Sequence, residues 1–303
     1  MSVASEVNNT PGAEAGLPIN FSQNSDQTAT GRMDGMPVSL ARPPAESPNP
    51  QQTEGLFGNS RDKANDGLLL GGDGRSYPPG TRLSDIAGVK PDNGQPETGK
   101  TVLYVNGIMT DAAAQRATMQ RIANQTGAGV IGVHNATEGF AADIAQSARD
   151  KLNNGYNPPV NTLSSAVYDS IKNRQDVNIV AHSQGGLIVS RAIRDVSDRL
   201  RGDGYSNQEV ENMLRQYVNV QTFGAAAGHY PDGPNYRHVI NVKDIVPGLF
   251  GLTGDTPVNT PIFHAGKDAR IERFSSDLSP ANIVGNHSID DLYMRYIDPN
   301  LFK

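Results

Sequence analysis

Residues Val177–Gly185 read VNIVAHSQG, and this stretch decides how the chain folds. It opens with a largely apolar run that is typical of a buried strand, and apolar side chains recur after it at the spacing of one helix face. Ser183 stands between the strand and the helix. The small residue Ala181 lies two positions before it, and Gly185 lies two positions after it. Small flanking residues let a strand and a helix approach closely around a strained serine, so the stretch predicts a nucleophile elbow.

The same spacing also fits an ordinary tight turn, in which Ser183 would carry no chemistry. The order strand, turn, helix favours the elbow. In an elbow the serine hydroxyl stands above the sheet, and the next backbone amide faces a developing oxyanion. We therefore predict that Ser183 is a nucleophile and that the amide of Gln184 is an oxyanion donor.

An acid is expected downstream, because on this type of scaffold the catalytic groups follow in the order serine, acid, histidine. Residues 238–242 alternate with β-branched side chains and predict a strand, which places Asp244 on the loop at its carboxyl end. Open α/β sheets collect their chemistry at that edge. Asp244 is therefore the candidate acid, although an aspartate before Pro247 could instead only cap a turn.

Two histidines follow the candidate acid. His264 lies in a short apolar stretch that predicts a strand or its edge. His287 comes directly before Ser288 and Asp291, which form a capping box for a final helix. A histidine on a loop before that helix can reach back to the elbow and act as base and then acid, so we prefer His287 to His264.

A second oxyanion donor is expected on the loop after an early central strand. Residues 101–105 predict such a strand, and Gly107 permits a tight backbone course directly after it. The amide of Ile108 can then point into the site beside that of Gln184. An Asn-Gly turn serving only chain reversal is the alternative, but the helical pattern over 112–123 argues against a simple hairpin.

On these residues the segment 100–303 resembles an α/β-hydrolase, and more narrowly the lipase-type serine esterases. Residues 220–225 are similar to the strand and glycine turn that such lipases carry between nucleophile and acid, and residues 244–247 are similar to their acid loop. Asn106 stands where the family commonly has histidine, and Ala181 where it commonly has glycine.

The resemblance implies an α/β-hydrolase fold, with a mostly parallel sheet and helices on both faces. Alternating strand and helix patterns, including a helix predicted over 140–152, support the same architecture. The resemblance also implies ester hydrolysis through an acyl-enzyme, often on acylglycerols or phospholipids, without a metal or cofactor. Its implied triad is Ser183, Asp244 and His287.

An apolar stretch after the candidate acid, residues 247–262, is interleaved with glycines. We interpret its Leu249, Phe250 and Leu252 as substrate-binding residues on a mobile lid or acyl-chain rim. A loop that simply packs on the core is an equal alternative.

Three regions are expected along the chain. Eleven of the 20 prolines precede Lys100, so residues 1–76 are interpreted as a disordered or low-complexity region that cannot bury enough apolar surface to fold alone. Residues 77–99 are interpreted as an extended arm that packs on the domain. Residues 100–303 suffice for a catalytic domain.

Composition restricts the partners and the compartment. With no cysteine there is neither a thiol nucleophile nor a disulfide, and the net charge of −6 gives no basic footprint for nucleic acid. No apolar run approaches the length of a membrane span, and the N-terminus lacks the features of a secretory signal. We expect a soluble protein, cytoplasmic or exported by a signal-peptide-independent route, and by analogy a bacterial effector. Transient contact with a membrane surface is compatible with this expectation.

The residues thus predict a serine ester hydrolase, and the family resemblance implies one of the lipase or phospholipase kind. One alternative is a catalytically silent α/β-hydrolase domain that serves as a binding module, although serine, acid and histidine are all present in order. Another is a thioesterase or peptidase on the same scaffold, which would differ only in pocket shape.

Overall fold

A computed structural model describes five parts of the chain, residues 31–33, 36–38, 60–136, 157–252 and 263–303. It divides into two units, residues 1–47 and 48–303. In the first unit, Gly31–Met33 (β1) and Met36–Val38 (β2) pair as an antiparallel hairpin.

The second unit contains a mostly parallel sheet of eight strands. They are β3 (Leu69–Leu70), β4 (Ser76–Tyr77), β5 (Thr101–Val105), β6 (Gly129–Val133), β7 (Val177–His182), β8 (Val218–Phe223), β9 (Asn235–Asn241) and β10 (Arg270–Phe274). Their order across the sheet is β10-β9-β8-β7-β5-β6-β3-β4, and β3 alone runs in the direction opposite to the other seven strands. The predicted elbow strand, β7, therefore lies in the middle of the sheet, between β5 and β8.

Six α-helices accompany this sheet in the described part of the second unit. They are α1 (Ala112–Thr126), α2 (Pro158–Lys172), α3 (Gln184–Gly202), α4 (Asn207–Tyr217), α5 (Ile245–Phe250) and α6 (Ile283–His287). Their starts follow from the sequence. Asp111 accepts a 2.7 Å hydrogen bond from the amide of Ala114 at the start of α1. Ser206 and Glu209 form a capping box at the start of α4.

The core lies on both faces of the sheet. Along β5, Leu103 and Val105 belong to one apolar cluster, whereas Val102 and Tyr104 belong to the other. Alternate residues of a strand point to opposite faces, so these two clusters cover the two sides of the sheet. Helices α2 and α3 contribute to the first cluster, and α1 contributes to the second. The predicted architecture, a mostly parallel sheet with helices on both faces, is confirmed.

The N-terminal limit of the fold requires a correction. Residues 1–76 were expected to lie outside it, but β3 and the first residue of β4 belong to the main sheet. Farther along, Ile86 and Val89 are buried, and Val89 exchanges two backbone hydrogen bonds with Val130 of β6. Strands of two residues are too short to produce the alternation by which a strand is recognised in a sequence.

The segments that carry the candidate acid and histidine also differ from expectation. The stretch 247–262, expected as a loop, begins inside α5, because Asp244 caps that helix and Pro247 falls in its first turn, where proline is tolerated. His287 ends the short helix α6 instead of lying on a loop, and the helix predicted after it is a π turn, Ile289–Tyr293, followed by a 3₁₀ turn. The predicted helix 140–152 and residues 253–262 lie outside the described residues.

Within the described ranges, none of the helices combines the length and the apolar character that are needed to cross a bilayer.

Candidate active site

Ser183 stands at a strained turn between β7 and α3. Its backbone has φ 56° and ψ −125°, a conformation that residues other than glycine rarely adopt. The turn is held from both sides, since the amide of Ser183 donates to Phe223 O at 3.1 Å and the amide of Ala226 donates to Ser183 O at 2.9 Å. Gly185 lies so close to Val105 that a Cβ there would overlap the backbone. The predicted elbow geometry is therefore present, with the physical causes expected for it.

A chain of two hydrogen bonds joins Ser183, His287 and Asp244. The serine Oγ lies 2.8 Å from His287 Nε2, and His287 Nδ1 lies 2.8 Å from Asp244 Oδ2. An ionised carboxylate only accepts, so Nδ1 carries the ring proton and Nε2 is left to accept from the serine hydroxyl. This is the arrangement in which a histidine can take a proton from a serine. The three side chains come from points spread over about a third of the sequence.

Asp244 is shared between a helix and the histidine. Its Oδ1 accepts a 3.0 Å hydrogen bond from the amide of Val246 and so caps α5, while its Oδ2 faces His287. The two interpretations of Asp244, turn cap and candidate acid, are thus compatible in one residue. The phenol of Tyr293 donates a third hydrogen bond to this carboxylate. Tyr293 and Asp244 are 49 positions apart, and nothing in the spacing of Tyr293 indicates this contact.

His182 packs against the candidate base. The centroids of the His182 and His287 rings are 4.6 Å apart. Burial, reinforced by the nearby His287 ring, lowers the pKa of His182 well below its usual range, so this ring is neutral. His182 therefore lies against the candidate base as a buried, neutral ring.

The two predicted oxyanion amides flank the serine. A Cβ on Gly107 would lie 2.7 Å from Ser183 Cβ and 3.3 Å from its Oγ, so the loop that carries Ile108 runs directly against the serine side chain. Gln184 is the first residue of α3, where a backbone N–H has no acceptor within the helix. The Ile108 amide likewise has no hydrogen-bond acceptor among the residues that the structure describes. Neither amide is therefore committed to an acceptor among the described residues, and their role as oxyanion donors stays a prediction.

The three predicted substrate residues separate into different environments. Leu249 is 62% exposed, and Phe250 is half-buried. Leu252 is only 3% exposed and belongs to the apolar core. The structure therefore corrects the expectation for Leu252, which packs on the core as the alternative interpretation required, while Leu249 is open to contact by other molecules.

His264, the alternative base, takes part in a different cluster. Its Nε2 lies 2.7 Å from Asp232 Oδ1, and its ring lies 5.3 Å from that of His229. Because Ser183 Oγ pairs with His287 instead, the choice of His287 over His264 agrees with the geometry.

No protein-family model and no curated protein matches this sequence. Solved structures do match. An esterase of Pyrobaculum calidifontis is 17% identical with a TM-score of 0.27, and the match covers 53% of this chain and 46%, less than half, of the esterase. A dienelactone hydrolase-like promiscuous phosphotriesterase from metagenomic libraries is 12% identical with a TM-score of 0.39, covering 70% of this chain and 91% of that one. A dienelactone hydrolase from Anabaena variabilis is 11% identical with a TM-score of 0.35, covering 71% and 90%.

The topology of the chain itself indicates the type of fold. Ser183 follows a central parallel strand, and the segments after β9 and β10, including the short helix α6, bring Asp244 and His287 into contact with it. Serine, aspartate and histidine in this chain order, with the serine on a strand-to-helix elbow, define one architecture. The chain has the α/β-hydrolase fold.

Proposed function

We propose that this chain is a serine ester hydrolase of the lipase or phospholipase kind, which forms an acyl-enzyme on Ser183. The observation that carries the proposal is the pair of 2.8 Å hydrogen bonds from Ser183 Oγ through the ring of His287 to Asp244. A serine hydroxyl is a weak nucleophile unless a positioned base removes its proton.

In the first half of the reaction, Ser183 Oγ attacks the ester carbonyl carbon while its proton passes to His287 Nε2. Asp244 keeps the proton of His287 on Nδ1 and stabilises the imidazolium that forms. The amides of Ile108 and Gln184 donate to the oxyanion. The intermediate then collapses, the alkoxide leaves with the proton from Nε2, and the acyl group remains on Oγ.

In the second half, water replaces the alcohol. It loses a proton to His287 Nε2 as its oxygen attacks the acyl carbon, and a second oxyanion forms in the same place. Collapse returns the proton to Ser183 Oγ and releases the carboxylic acid. The same residues therefore serve both steps, so the effects on the rate of replacing them one by one should not be additive.

The surroundings of the site favour an apolar acyl ester. Among the described residues, the large apolar side chains that are exposed all fall within 242–249 and 278–284, the segments next to Asp244 and before His287. We call this set the apolar rim, and it consists of Val242, Ile245, Leu249, Leu278, Ile283 and Val284. Helices α5 and α6, which carry four of the six, contact each other. Exposed apolar side chains that cluster beside a site are typical of contact with an apolar ligand or surface.

Covalent labelling tests the nucleophile. A fluorophosphonate should modify Ser183, as read by peptide mass, and Ser183→Ala should lose both labelling and ester turnover by at least about 10³-fold. The matched control is Ser197→Ala, because Ser197 is buried in α3, the helix that Ser183 precedes, and among the described residues its hydroxyl bonds only the carbonyl of Ile193. Full turnover by Ser183→Ala would overturn the proposal. A wild-type protein that neither labels nor hydrolyses any ester would favour the silent binding module.

A substrate panel tests the lipid class. We expect turnover of p-nitrophenyl esters to rise with acyl length, and phospholipid or acylglycerol vesicles to release fatty acid detectable by mass. Val284→Ser, which changes the most exposed residue of the apolar rim at 81% exposure, should lower turnover of the long-chain ester relative to the acetate. Equal loss on both esters, or no preference for longer chains, would contradict a lipase and leave a small-ester hydrolase.

A further inference from the structure

Three buried carboxamides link the loops on either side of Ser183. Asn106, Asn135 and Gln184 follow three neighbouring strands, β5, β6 and β7, and all are buried. Asn106 Nδ2 donates to Gly107 O and to Asn135 O, both at 2.8 Å, and its Oδ1 accepts from the Asn135 amide at 2.9 Å. Both donors of Asn106 are therefore used inside the protein, and a satisfied buried network of this kind is rigid.

One of these bonds acts on the oxyanion loop. The carbonyl of Gly107 and the amide of Ile108 belong to the same peptide group, which is planar and trans, as no cis peptide occurs in the described chain. In a trans peptide the C=O and N–H point in opposite directions. When Asn106 holds the Gly107 carbonyl, it therefore also fixes the direction of the Ile108 N–H, which has no hydrogen-bond acceptor among the described residues.

We propose that Asn106 is a positioning residue that aims the Ile108 amide at the reacting oxyanion by holding the Gly107 carbonyl in the opposite direction. This inference rests on the proposed esterase function and adds a residue to it. Asn106 does not touch the substrate, and it acts only through the peptide between Gly107 and Ile108. That peptide lies against Ser183, so a small rotation there changes the distance from the amide to the oxyanion.

Asn135 connects Asn106 to Gln184, the residue that carries the second oxyanion amide. Its Nδ2 donates a 2.7 Å hydrogen bond to Gln184 Oε1, and its backbone is bonded by Asn106. The side chain of Gln184 is thereby tied to the loop that carries Ile108. The two oxyanion donors thus keep their spacing through side chains, with no direct bond between their own backbones among the described residues.

The variants Asn106→Asp and Asn106→Ser test the inference. In Asn106→Asp an oxygen replaces Nδ2 and faces the carbonyls of Gly107 and Asn135, so the peptide should rotate. Deletion of one oxyanion donor costs about 10²–10³-fold in kcat, and we expect a misaimed donor to cost roughly 10- to 100-fold. The KM and the pH profile should stay near those of the wild type, because the His287–Asp244 pair is untouched.

A control separates this effect from lost stability. Asn178 is also a buried carboxamide of the sheet, but its Nδ2 bonds Thr101 O and Lys303 O, at the opposite end of β7 from Ser183. Asn178→Asp should lower the melting temperature without changing kcat per active site, titrated with fluorophosphonate. If the Asn106 variants lose stability but keep kcat within about threefold, the positioning role is wrong. If the wild type has no Ser183-dependent turnover, the proposed function has failed instead.

A measurement on the wild-type chain covers the case in which the Asn106 variants do not fold. Phosphonylation of Ser183 places an anionic oxygen where the oxyanion would form. The ¹H–¹⁵N signals of Ile108 and Gln184 should both move downfield, as expected for new hydrogen bonds to that oxygen. An unchanged Ile108 signal would show that its amide points elsewhere, and the inference would then be withdrawn.

Discussion

The phenol oxygen of Tyr293 lies 2.8 Å from Asp244 Oδ2, the same carboxylate oxygen that faces His287 Nδ1. Burial, together with the nearby Asp244, raises the pKa of Tyr293, so the phenol stays protonated and donates. It also accepts a 3.0 Å hydrogen bond from the amide of Asn241, at the end of β9. Tyr293 therefore fixes the orientation of the candidate acid relative to its own strand.

Tyr293→Phe should weaken catalysis with little change in KM. A hydrogen bond to a charged group contributes about 1.5–3 kcal/mol, and its loss lets the carboxylate turn away from His287. We expect kcat to fall on the order of ten-fold, measured by initial rates on a soluble ester. Tyr296→Phe is the control, because Tyr296, three positions after Tyr293, stacks on Phe274 and is not among the described residues that hydrogen-bond Asp244. Equal effects from both variants would contradict this role.

His182 contacts the backbone of His287, the middle member of the candidate triad. Its Nε2 lies 2.7 Å from the backbone carbonyl of His287, and a carbonyl only accepts, so Nε2 carries the proton. His182→Leu removes this bond and leaves a buried acceptor unpaired, at a cost of about 1–3 kcal/mol. We expect lower thermal stability and a loss of kcat of about ten-fold. His182→Gln, whose amide can still donate, should retain more of both, and identical behaviour of the two variants would speak against the bond.

Two glycines of α3 provide a matched pair. A Cβ on Gly185 would lie 2.9 Å from the carbonyl carbon of Val105 and closer still to its oxygen, whereas a Cβ on Gly202 meets nothing within 4 Å. Gly185→Ala should cost about 3 kcal/mol or more by overpacking. Gly202→Ala should be neutral or stabilising by up to about 1 kcal/mol. Urea denaturation measures both, and a tolerated Gly185→Ala would disprove the close strand-to-helix contact.

His238 makes the stability of the fold sensitive to acid. Its ring is buried on β9, and this burial lowers its pKa to about 4 from the ordinary value of 6.5. Because the folded state resists protonation, the unfolded chain binds more protons between these two values, and the free energy of unfolding declines as the pH falls from about 6.5 to about 4. The contribution of this residue is on the order of 3 kcal/mol.

The measurement is a series of denaturant melts between pH 7 and pH 4. His238→Gln should be less stable at pH 7, because His238 bonds both Thr222 and Ala265 O there. It should also lose stability less steeply on acidification. A variant with the same pH slope as the wild type would show that His238 is not the responsible group.

Local chemistry made much of the site predictable. The strained turn at Ser183 depends on small residues within two positions of it, so a short stretch of sequence is enough to recognise it. The strands β5 to β8 are recognisable because most of their five or six residues are apolar or β-branched. The order of Asp244 and His287 along the chain then restricted the partners of the serine to very few candidates.

Contacts between distant segments had to come from the tertiary structure. The hydrogen bonds of Tyr293 to Asp244, of His182 to the His287 carbonyl, and of Asn106 to Asn135 join residues between 29 and 105 positions apart. Such pairs leave no periodicity or spacing to detect. The sequence alone determined the elbow and the order of the catalytic candidates, because these follow from backbone sterics over a few residues. The packing of the whole sheet decided which polar groups hold the catalytic candidates in place. A buried donor needs an acceptor, and the tertiary structure determines which acceptors lie within reach.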